Sequence, residues 1–167
     1  MLTLSARLFE YEALRTHLKP DDRIVIISCN CCARQSNGLG GQQGLRHLAD
    51  KLMKDGFKVV HEELLPIACH PELLANRLRD EAVRKLFSTA DVIIPLSCQA
   101  GEKRAAEILP DLKVIHVTRT LGKGIVSPET GACIMTPGDG IEIDVDPVAG
   151  MPLAEVAKLL GLYPGSF

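Results

Sequence analysis

The chain has 167 residues, of which 46% are hydrophobic and 24% are charged, and its formal net charge is -2. This length suits one domain with a single core, and the scattered Lys and Arg argue against a nucleic-acid-binding protein. Aromatic residues make up only 4% and Trp is absent, which argues against a surface that stacks bases or sugars. No apolar run approaches the roughly 20 residues that a membrane span requires.

The first predicted element is an N-terminal helix within residues 1–20. Apolar residues recur at helical spacing in the stretch SARLFEYEALRTHL, residues 5–18. Arg7, Glu10 and Glu12 interrupt the apolar core that a signal peptide requires. We therefore expect a cytoplasmic protein that contacts no membrane, and in such a reducing compartment cysteines are seldom paired in disulfides.

Strands and helices then alternate along the chain. Strands are predicted for RIVIIS (23–28), FKVVHEEL (57–64), DVIIPLS (91–97) and KVIHVT (113–118). Helices are predicted for residues 42–56, 71–90 (as one helix or two) and 100–109. This alternation predicts an α/β fold with a doubly wound, mostly parallel sheet, flavodoxin- or Rossmann-like, in a single domain spanning residues 1–167.

The last part of the chain departs from this alternation. Residues 122–152 are rich in Gly and Pro and contain one short candidate strand, IEIDV, at 141–145. A C-terminal helix is predicted for residues 153–161.

The cysteines follow the predicted strands. Cys29, Cys31 and Cys32 come directly after the first strand of the alternation, Cys69 lies in the loop after the second, and Cys98 follows the third. Because the carboxyl ends of parallel strands meet at one edge of a sheet, we expect these five cysteines to converge there. Four thiolates suit zinc or an iron–sulfur cluster, and the spacing does not choose between them.

Three interpretations of this cysteine pattern compete. Cysteine is often a small buried hydrophobic residue, which is a fair account of Cys133 or of Cys98 taken alone. Cys29 and Cys32 have the spacing of a thiol–disulfide oxidoreductase, but that interpretation leaves Cys69 and Cys98 unexplained. A metal site on Cys29, Cys32, Cys69 and Cys98 accounts for the whole set, with Cys31 and Cys133 as further candidate ligands.

A glycine-rich loop, NGLGGQQG at residues 37–44, separates the first cysteines from the next helix. Gly38, Gly40 and Gly41 are candidate cofactor-binding residues, because such loops bind phosphate groups at the start of a helix. Glu62 or Glu63 would then be the acidic residue that binds a ribose. The alternative is that the glycines let the loop fold tightly around the cysteines.

Over roughly residues 21–135 the chain resembles the C-terminal domain family of methylenetetrahydrofolate reductases, which also occurs as a separate, MetV-type accessory subunit. The resemblance is carried by Cys29-x-x-Cys32, Gly40-Gly41, Cys69 with Glu72 nearby, ADVIIPLSCQAG and VTRTLGKG. ETGACIMTPGDG matches the family's tail in part but lacks its other cysteines. The resemblance implies a zinc or iron–sulfur site on Cys29, Cys32, Cys69 and Cys98, and a flavin-containing TIM-barrel reductase as partner.

The sequence therefore predicts a metal-binding protein with one [4Fe–4S] cluster, or Zn²⁺ as the alternative. It would pass electrons to or from a flavin or corrinoid partner in one-carbon metabolism, as a subunit of a reductase rather than as an independent enzyme. The alternatives are a zinc–thiolate methyl-transfer component and a thiol oxidoreductase.

Two finer expectations concern the loops that carry the cysteines. Cys31 should point away from Cys32, since alternate residues of an extended loop face opposite sides. Leu39 and Ile67 should be exposed and should mark a docking surface, because apolar patches at a rim are common in interfaces.

Overall fold

The computed structural model describes the whole chain, residues 1–167. It contains two four-stranded sheets, one parallel and one antiparallel, with helices packed around them. The strands are β1 (Leu2–Arg7), β2 (Arg23–Cys29), β3 (Lys58–Leu65), β4 (Val92–Leu96), β5 (Lys113–Val114), β6 (Thr118–Ser127), β7 (Gly131–Pro137) and β8 (Met151–Pro152). The helices are α1 (Tyr11–Arg15), α2 (Cys32–Gln35), α3 (Gly41–Lys54), α4 (Pro71–Arg77), α5 (Glu81–Ser88), α6 (Gln99–Ile108) and α7 (Leu153–Leu159).

The parallel sheet has the strand order β3-β2-β4-β5, in agreement with the α/β fold predicted from the alternation. Side chains of β2 enter two different cores. Ile24 and Ile26 pack in the core that contains residues of α3, whereas Val25 and Ile27 pack with residues of α4 and α5. A strand that is apolar on both faces is typical of a sheet covered on both sides.

The antiparallel sheet has the order β1-β6-β7-β8 and was not predicted. The expected helix in residues 1–20 is wrong over its first half, which forms β1, and only Tyr11–Arg15 is helical there. Leu4 and Ala6, at alternate positions of β1, are fully buried, and Leu2 pairs with Gly124 far along the chain. This distant pairing outweighs the local helical spacing. The fold as a whole is therefore mixed α/β rather than a plain doubly wound sheet.

The Gly/Pro-rich segment 122–152 also differs from its prediction. It contains most of β6 and all of β7, while IEIDV at 141–145 forms no strand. Gly124 permits the close pairing of β6 with β7, because a Cβ at this position would overlap with the carbonyl oxygen of Cys133 on β7. The predicted C-terminal helix is present as α7.

The predicted strand at 113–118 divides between the two sheets. β5 ends at Val114, and β6 begins at Thr118 in the antiparallel sheet. The carboxylate of Glu102 accepts the backbone N–H groups of Val117 and Thr118, at 3.1 Å each. Those two amides are therefore satisfied by a side chain instead of by a neighbouring strand, and the chain turns between the sheets.

Residues 71–90 form two helices, because the Asp80 carboxylate caps the second one by accepting the N–H groups of Ala82 and Val83.

None of the helices combines the length and the apolar character that crossing a membrane would need.

Candidate functional site

Thiol groups gather at the carboxyl-end edge of the parallel sheet. Cys29 is the last residue of β2, Cys69 lies between β3 and α4, and Cys98 follows β4 as the N-cap of α6. Strand β2 pairs with β3 on one side and with β4 on the other, so the loops after the three strands are neighbours. We call Cys29, Cys31, Cys32, Cys69 and Cys98 the thiol cluster.

The electrostatics of Cys98 indicate which other cysteines lie near it. Burial raises the pKa of the Cys98 thiol, and the thiols of Cys69, Cys29 and Cys32 raise it further, while the N–H of Gly101 lowers it. Cysteines from all three loops thus act on one sulfur. All of these cysteines are free thiols rather than disulfides.

Cys31 belongs to the same cluster, contrary to the expectation that it points away from Cys32. Burial raises the pKa of the Cys31 thiol, and the neighbouring Cys32 and Cys29 raise it further. The loop is not extended at this point: Cys31 is the N-cap of α2, with φ -108° and ψ -104°. The alternation rule for extended chains therefore does not apply to it.

Cys133 lies apart from the thiol cluster. It is buried on β7, opposite Ile125 of β6 and Pro152 of β8. Its Sγ lies 3.8 Å from the carbonyl oxygen of Thr130. Its place in the antiparallel sheet accords with a buried hydrophobic residue.

The glycine-rich loop packs against the protein's own backbone. A Cβ on Gly40 would lie 2.7 Å from the Cβ of Ala33, 2.9 Å from the carbonyl oxygen of Leu96 and 3.0 Å from that of Cys29. A Cβ on Gly41 would lie 2.6 Å from Cγ of Arg34. These contacts favour the interpretation that the glycines let the loop fold tightly beside the ends of β2 and β4.

The candidate ribose ligands have partners of their own. Glu63 is only 3% exposed and binds His61 at 2.9 Å and Arg77 at 2.7 Å. Glu62 pairs with Arg46 at 2.9 Å. Both carboxylates therefore take part in interactions within the protein.

The antiparallel sheet completes the site in a way that the sequence did not predict. The hydroxyl of Ser36 donates to the carbonyl oxygen of Cys32 at 2.9 Å and accepts the N–H of Ser5 on β1 at 3.0 Å. On the other side of the site, Gln99 and Thr120 form two reciprocal hydrogen bonds of 3.2 and 3.1 Å. Strands β1 and β6 thus hold the loops of Cys32 and Cys98 in place.

These positioning residues carry no sequence signal of their own. Ser5 and Thr120 are common polar residues that lie far along the chain from the cysteines they support. Glu102 is only 2% exposed, so its carboxylate must be satisfied by hydrogen bonds, but the sequence does not show this burial. Only the folded structure identifies the partners of this carboxylate.

The thiol cluster is not a ready-made cage for one metal ion. No three His, Cys, Asp or Glu side chains are arranged so that they could hold a single ion. A tetrahedral zinc site with Zn–S bonds of about 2.3 Å needs sulfurs only about 3.8 Å apart. In an iron–sulfur cluster each thiolate binds a different iron, so the thiolates stand further apart. Thiolates are ligands of both zinc and iron–sulfur clusters, so the chemistry of the donor set alone fits either group.

Three further residues, His70, Ile67 and Leu39, lie on or beside the loops of the thiol cluster. His70 caps α4, with its Nδ1 accepting the N–H of Glu72 at 3.3 Å. Ile67 is 41% exposed, as expected, whereas Leu39 is fully buried. Leu39 therefore supports the loop from within and offers no docking surface.

No protein-family model, no curated protein and no solved structure matches this chain.

Proposed function

We propose that this protein holds a [4Fe–4S] cluster on Cys29, Cys32, Cys69 and Cys98 and acts as an electron-transfer accessory subunit. The observation that carries the proposal is the convergence of cysteines from three separate loops at one edge of the parallel sheet. A shared metal ion or cluster requires thiolates from different loops to meet in this way. The convergence also accounts for Cys69 and Cys98, which a redox pair of Cys29 and Cys32 would leave unused.

The position of the site within the sheet supports a ligand there. We interpret the order β3-β2-β4-β5 as the doubly wound part of the fold. The chain passes from β2 to β3 on one side of β2, and then returns to form β4 on the other side of β2. Ligands of such sheets bind outside the carboxyl ends of the strands, where the direction of the crossovers reverses. Cys29 and Cys98 stand on the two sides of that point.

The protein's own residues would define the properties of the bound group. Cys98 begins α6, and the positive end of the helix dipole offsets part of the charge of thiolates placed there. Cys29 and Cys98 are buried, which limits contact with water and influences the reduction potential. A [4Fe–4S] cluster bound by these residues would supply a one-electron relay.

A partner protein is part of the proposal. By resemblance, the partner is a flavin-containing TIM-barrel reductase in methylenetetrahydrofolate metabolism, or else a corrinoid protein. Ile67 is exposed two residues before Cys69, and an apolar side chain beside an electron-transfer site suits a docking contact. The chain alone is then a subunit of a reductase and not an independent enzyme.

The proposal is tested by anaerobic reconstitution of the whole chain with iron and sulfide, and in parallel with zinc. We expect a brown protein with a broad absorption band near about 400 nm, typical of thiolate-bound iron clusters, and a reversible one-electron reduction. A colourless protein that takes up zinc and no iron would instead make the zinc–thiolate methyl-transfer function the leading one. Failure to bind either metal, with formation of a Cys29–Cys32 disulfide, would favour the thiol oxidoreductase.

The partner is tested separately by affinity purification from the native source under anaerobic conditions. We expect a flavoprotein or a corrinoid protein to co-purify, and the isolated chain to show no turnover of a folate substrate. Robust turnover by the pure chain would overturn the accessory-subunit role.

A further inference from the structure

A polar cavity lies beside the thiol cluster, where the first turn of α6 meets the antiparallel sheet. Its volume is about 400 Å³, within the range of small-molecule sites, roughly 300–1,000 Å³. Its lining includes the side chains of Thr3, Gln99, Thr120, Lys123 and Asp139. Gln99 directly follows Cys98 in the chain, so one residue of the lining is the sequence neighbour of a cluster cysteine.

Two exposed side chains of opposite charge, Lys123 and Asp139, line this cavity and form no ion pair with each other. Lys123 Nζ donates to the hydroxyl of Thr3 at 3.0 Å and forms no ion pair with any carboxylate. The side chain of Asp139 takes part in none of the protein's hydrogen bonds or ion pairs. An ammonium has three donors, so Lys123 retains two, and both oxygens of Asp139 remain free to accept.

A third polar group of the cavity, the side chain of Gln99, is positioned by hydrogen bonds with Thr120. Gln99 accepts the N–H of Thr120 at 3.1 Å through its side chain, and the N–H of Gln99 donates to the Thr120 hydroxyl at 3.2 Å. A backbone N–H can only donate, so the Gln99 atom facing it is the oxygen. The amide nitrogen of Gln99 is therefore left without a partner and can donate to a ligand. The backbone N–H of Ala100, in the first turn of α6, has no acceptor within its own helix.

We propose that this cavity binds a small zwitterionic molecule of the amino-acid type. Lys123 and the amide nitrogen of Gln99 supply donors for a carboxylate, and Asp139 supplies acceptors for an ammonium group. A ligand with a single anionic group would leave Asp139 unpaired and repelled, whereas a zwitterion satisfies both signs of charge. This site goes beyond the proposed function, because none of its groups is a candidate metal ligand.

The experiment is a titration of the ¹⁵N-labelled full-length chain with each of the common free L-amino acids and, separately, with inorganic phosphate. We expect at least one amino acid to cause saturable amide shifts at Gln99, Ala100 and Lys123. Lys123→Met and Asp139→Asn should each weaken that binding by about tenfold, the effect of losing one charge-assisted hydrogen bond. The control variants Lys158→Met and Asp144→Asn remove exposed charges outside the cavity and should leave the affinity unchanged.

Three outcomes would overturn the proposal. The first is that no amino acid gives saturable shifts in the cavity. The second is that binding survives unchanged in both cavity variants, and the third is that inorganic phosphate binds while the amino acids do not. The titration requires no bound metal, so a failure of metal reconstitution and a failure of amino-acid binding are separate results.

Discussion

At the scale of single residues, the cysteines of the thiol cluster have unequal positions. Cys98 is the only cysteine on its loop, whereas Cys29, Cys31 and Cys32 share one loop and can partly replace each other. Cys133 lies on β7, outside the cluster. The three positions therefore predict three different effects on metal binding.

Changing Cys98 to Ser should remove most of the bound iron, because no neighbouring cysteine can take its place. Cys31→Ser should retain most of it, even though Cys31 lies beside Cys32. Cys133→Ala is the control for loss of a thiol outside the site and should bind as much iron as the native chain. Iron and sulfide analysis after reconstitution measures the metal content of all three variants. Full iron content in the Cys98 variant would show that Cys98 is not a ligand.

The glycine-rich loop provides a matched pair of substitutions. Gly40→Ala forces a Cβ against Ala33 and the carbonyl oxygens of Leu96 and Cys29, and overpacking of this kind costs about 1–3 kcal/mol. Gly38→Ala meets no atom within 4 Å but adopts a φ of +76°, which costs an L-residue about 1 kcal/mol. We expect both variants to lose stability in urea unfolding, and only Gly40→Ala to lose iron as well. Equal iron loss in the two would show that the close packing around Gly40 does not support the site.

At the scale of secondary-structure elements, a buried carboxylate joins β3 to α4. Arg77 is on α4 and binds both oxygens of Glu63, at 2.7 and 3.3 Å. A second arginine–glutamate pair, Arg46 with Glu62, links α3 to the same strand, but its arginine is more exposed, at 60% against 46%. The two pairs allow a fully buried carboxylate and a partly exposed one to be compared on one strand.

Arg77→Gln should lower the free energy of unfolding by about 2 kcal/mol, because it leaves a buried carboxylate with fewer donors. Arg46→Gln is the matched control and should cost less, about 1 kcal/mol, because Glu62 is 20% exposed against 3% for Glu63. Urea unfolding at neutral pH measures both. An equal loss of unfolding free energy in the two variants would mean that the burial of Glu63 does not increase the contribution of its ion pair to stability.

The same pair predicts a dependence on acid. Burial raises the pKa of Glu63, but hydrogen bonds from His61 and Arg77 and the charge of Arg77 lower it by more, so the net pKa lies below its usual value. The stabilisation is complete above the pKa of an unfolded Glu, about 4.3, and is lost as the pH falls through the lower folded pKa. Urea unfolding below about pH 4.3 should therefore show a smaller acid-induced loss in Arg77→Gln than in the native chain. An unchanged acid profile would show that Arg77 does not set the titration of Glu63.

At the scale of the whole molecule, one side chain connects the two sheets behind the thiol cluster. Glu102 lies one turn after Cys98 on α6, and its carboxylate accepts the N–H groups of Val117 and Thr118 and contacts His116 at 3.1 Å. The hydroxyl of Thr118 lies 2.6 Å from the carbonyl oxygen of Ser97. The end of β4, the start of α6 and the start of β6 are thus fastened together at this point.

Glu102→Ala should cost about 3 kcal/mol of stability, because it leaves buried backbone donors unsatisfied, and should also reduce iron retention. Glu102→Gln keeps one acceptor and should be milder. Glu107→Ala removes an exposed carboxylate from the same helix and should cost at most about 1 kcal/mol. Thermal unfolding and iron analysis of the three variants test this. Normal iron retention in a folded Glu102→Ala protein would show that iron binding does not depend on the link between the sheets.

The sequence by itself determined the parallel sheet and the order in which its loops carry cysteines. Strands β2 and β4 are apolar runs, β3 is a shorter apolar stretch followed by polar residues, and helices separate the three strands. Their identity therefore depends on local composition and periodicity. Since parallel strands end at one edge, the convergence of Cys29, Cys69 and Cys98 follows from their positions after those strands. Whether they bind a metal stays a prediction.

Only the tertiary structure decided the antiparallel sheet and the residues that support the site from it. β1 exists because Leu4 and Ala6 are buried against a strand that lies more than a hundred residues later in the chain, and local helical spacing cannot report such a pairing. The partners of Glu102 and the cavity beside Cys98 depend on the same long-range packing. The physical reason is that periodicity records which side of an element is buried, whereas the identity of the segment that covers it is set by contacts between distant parts of the chain.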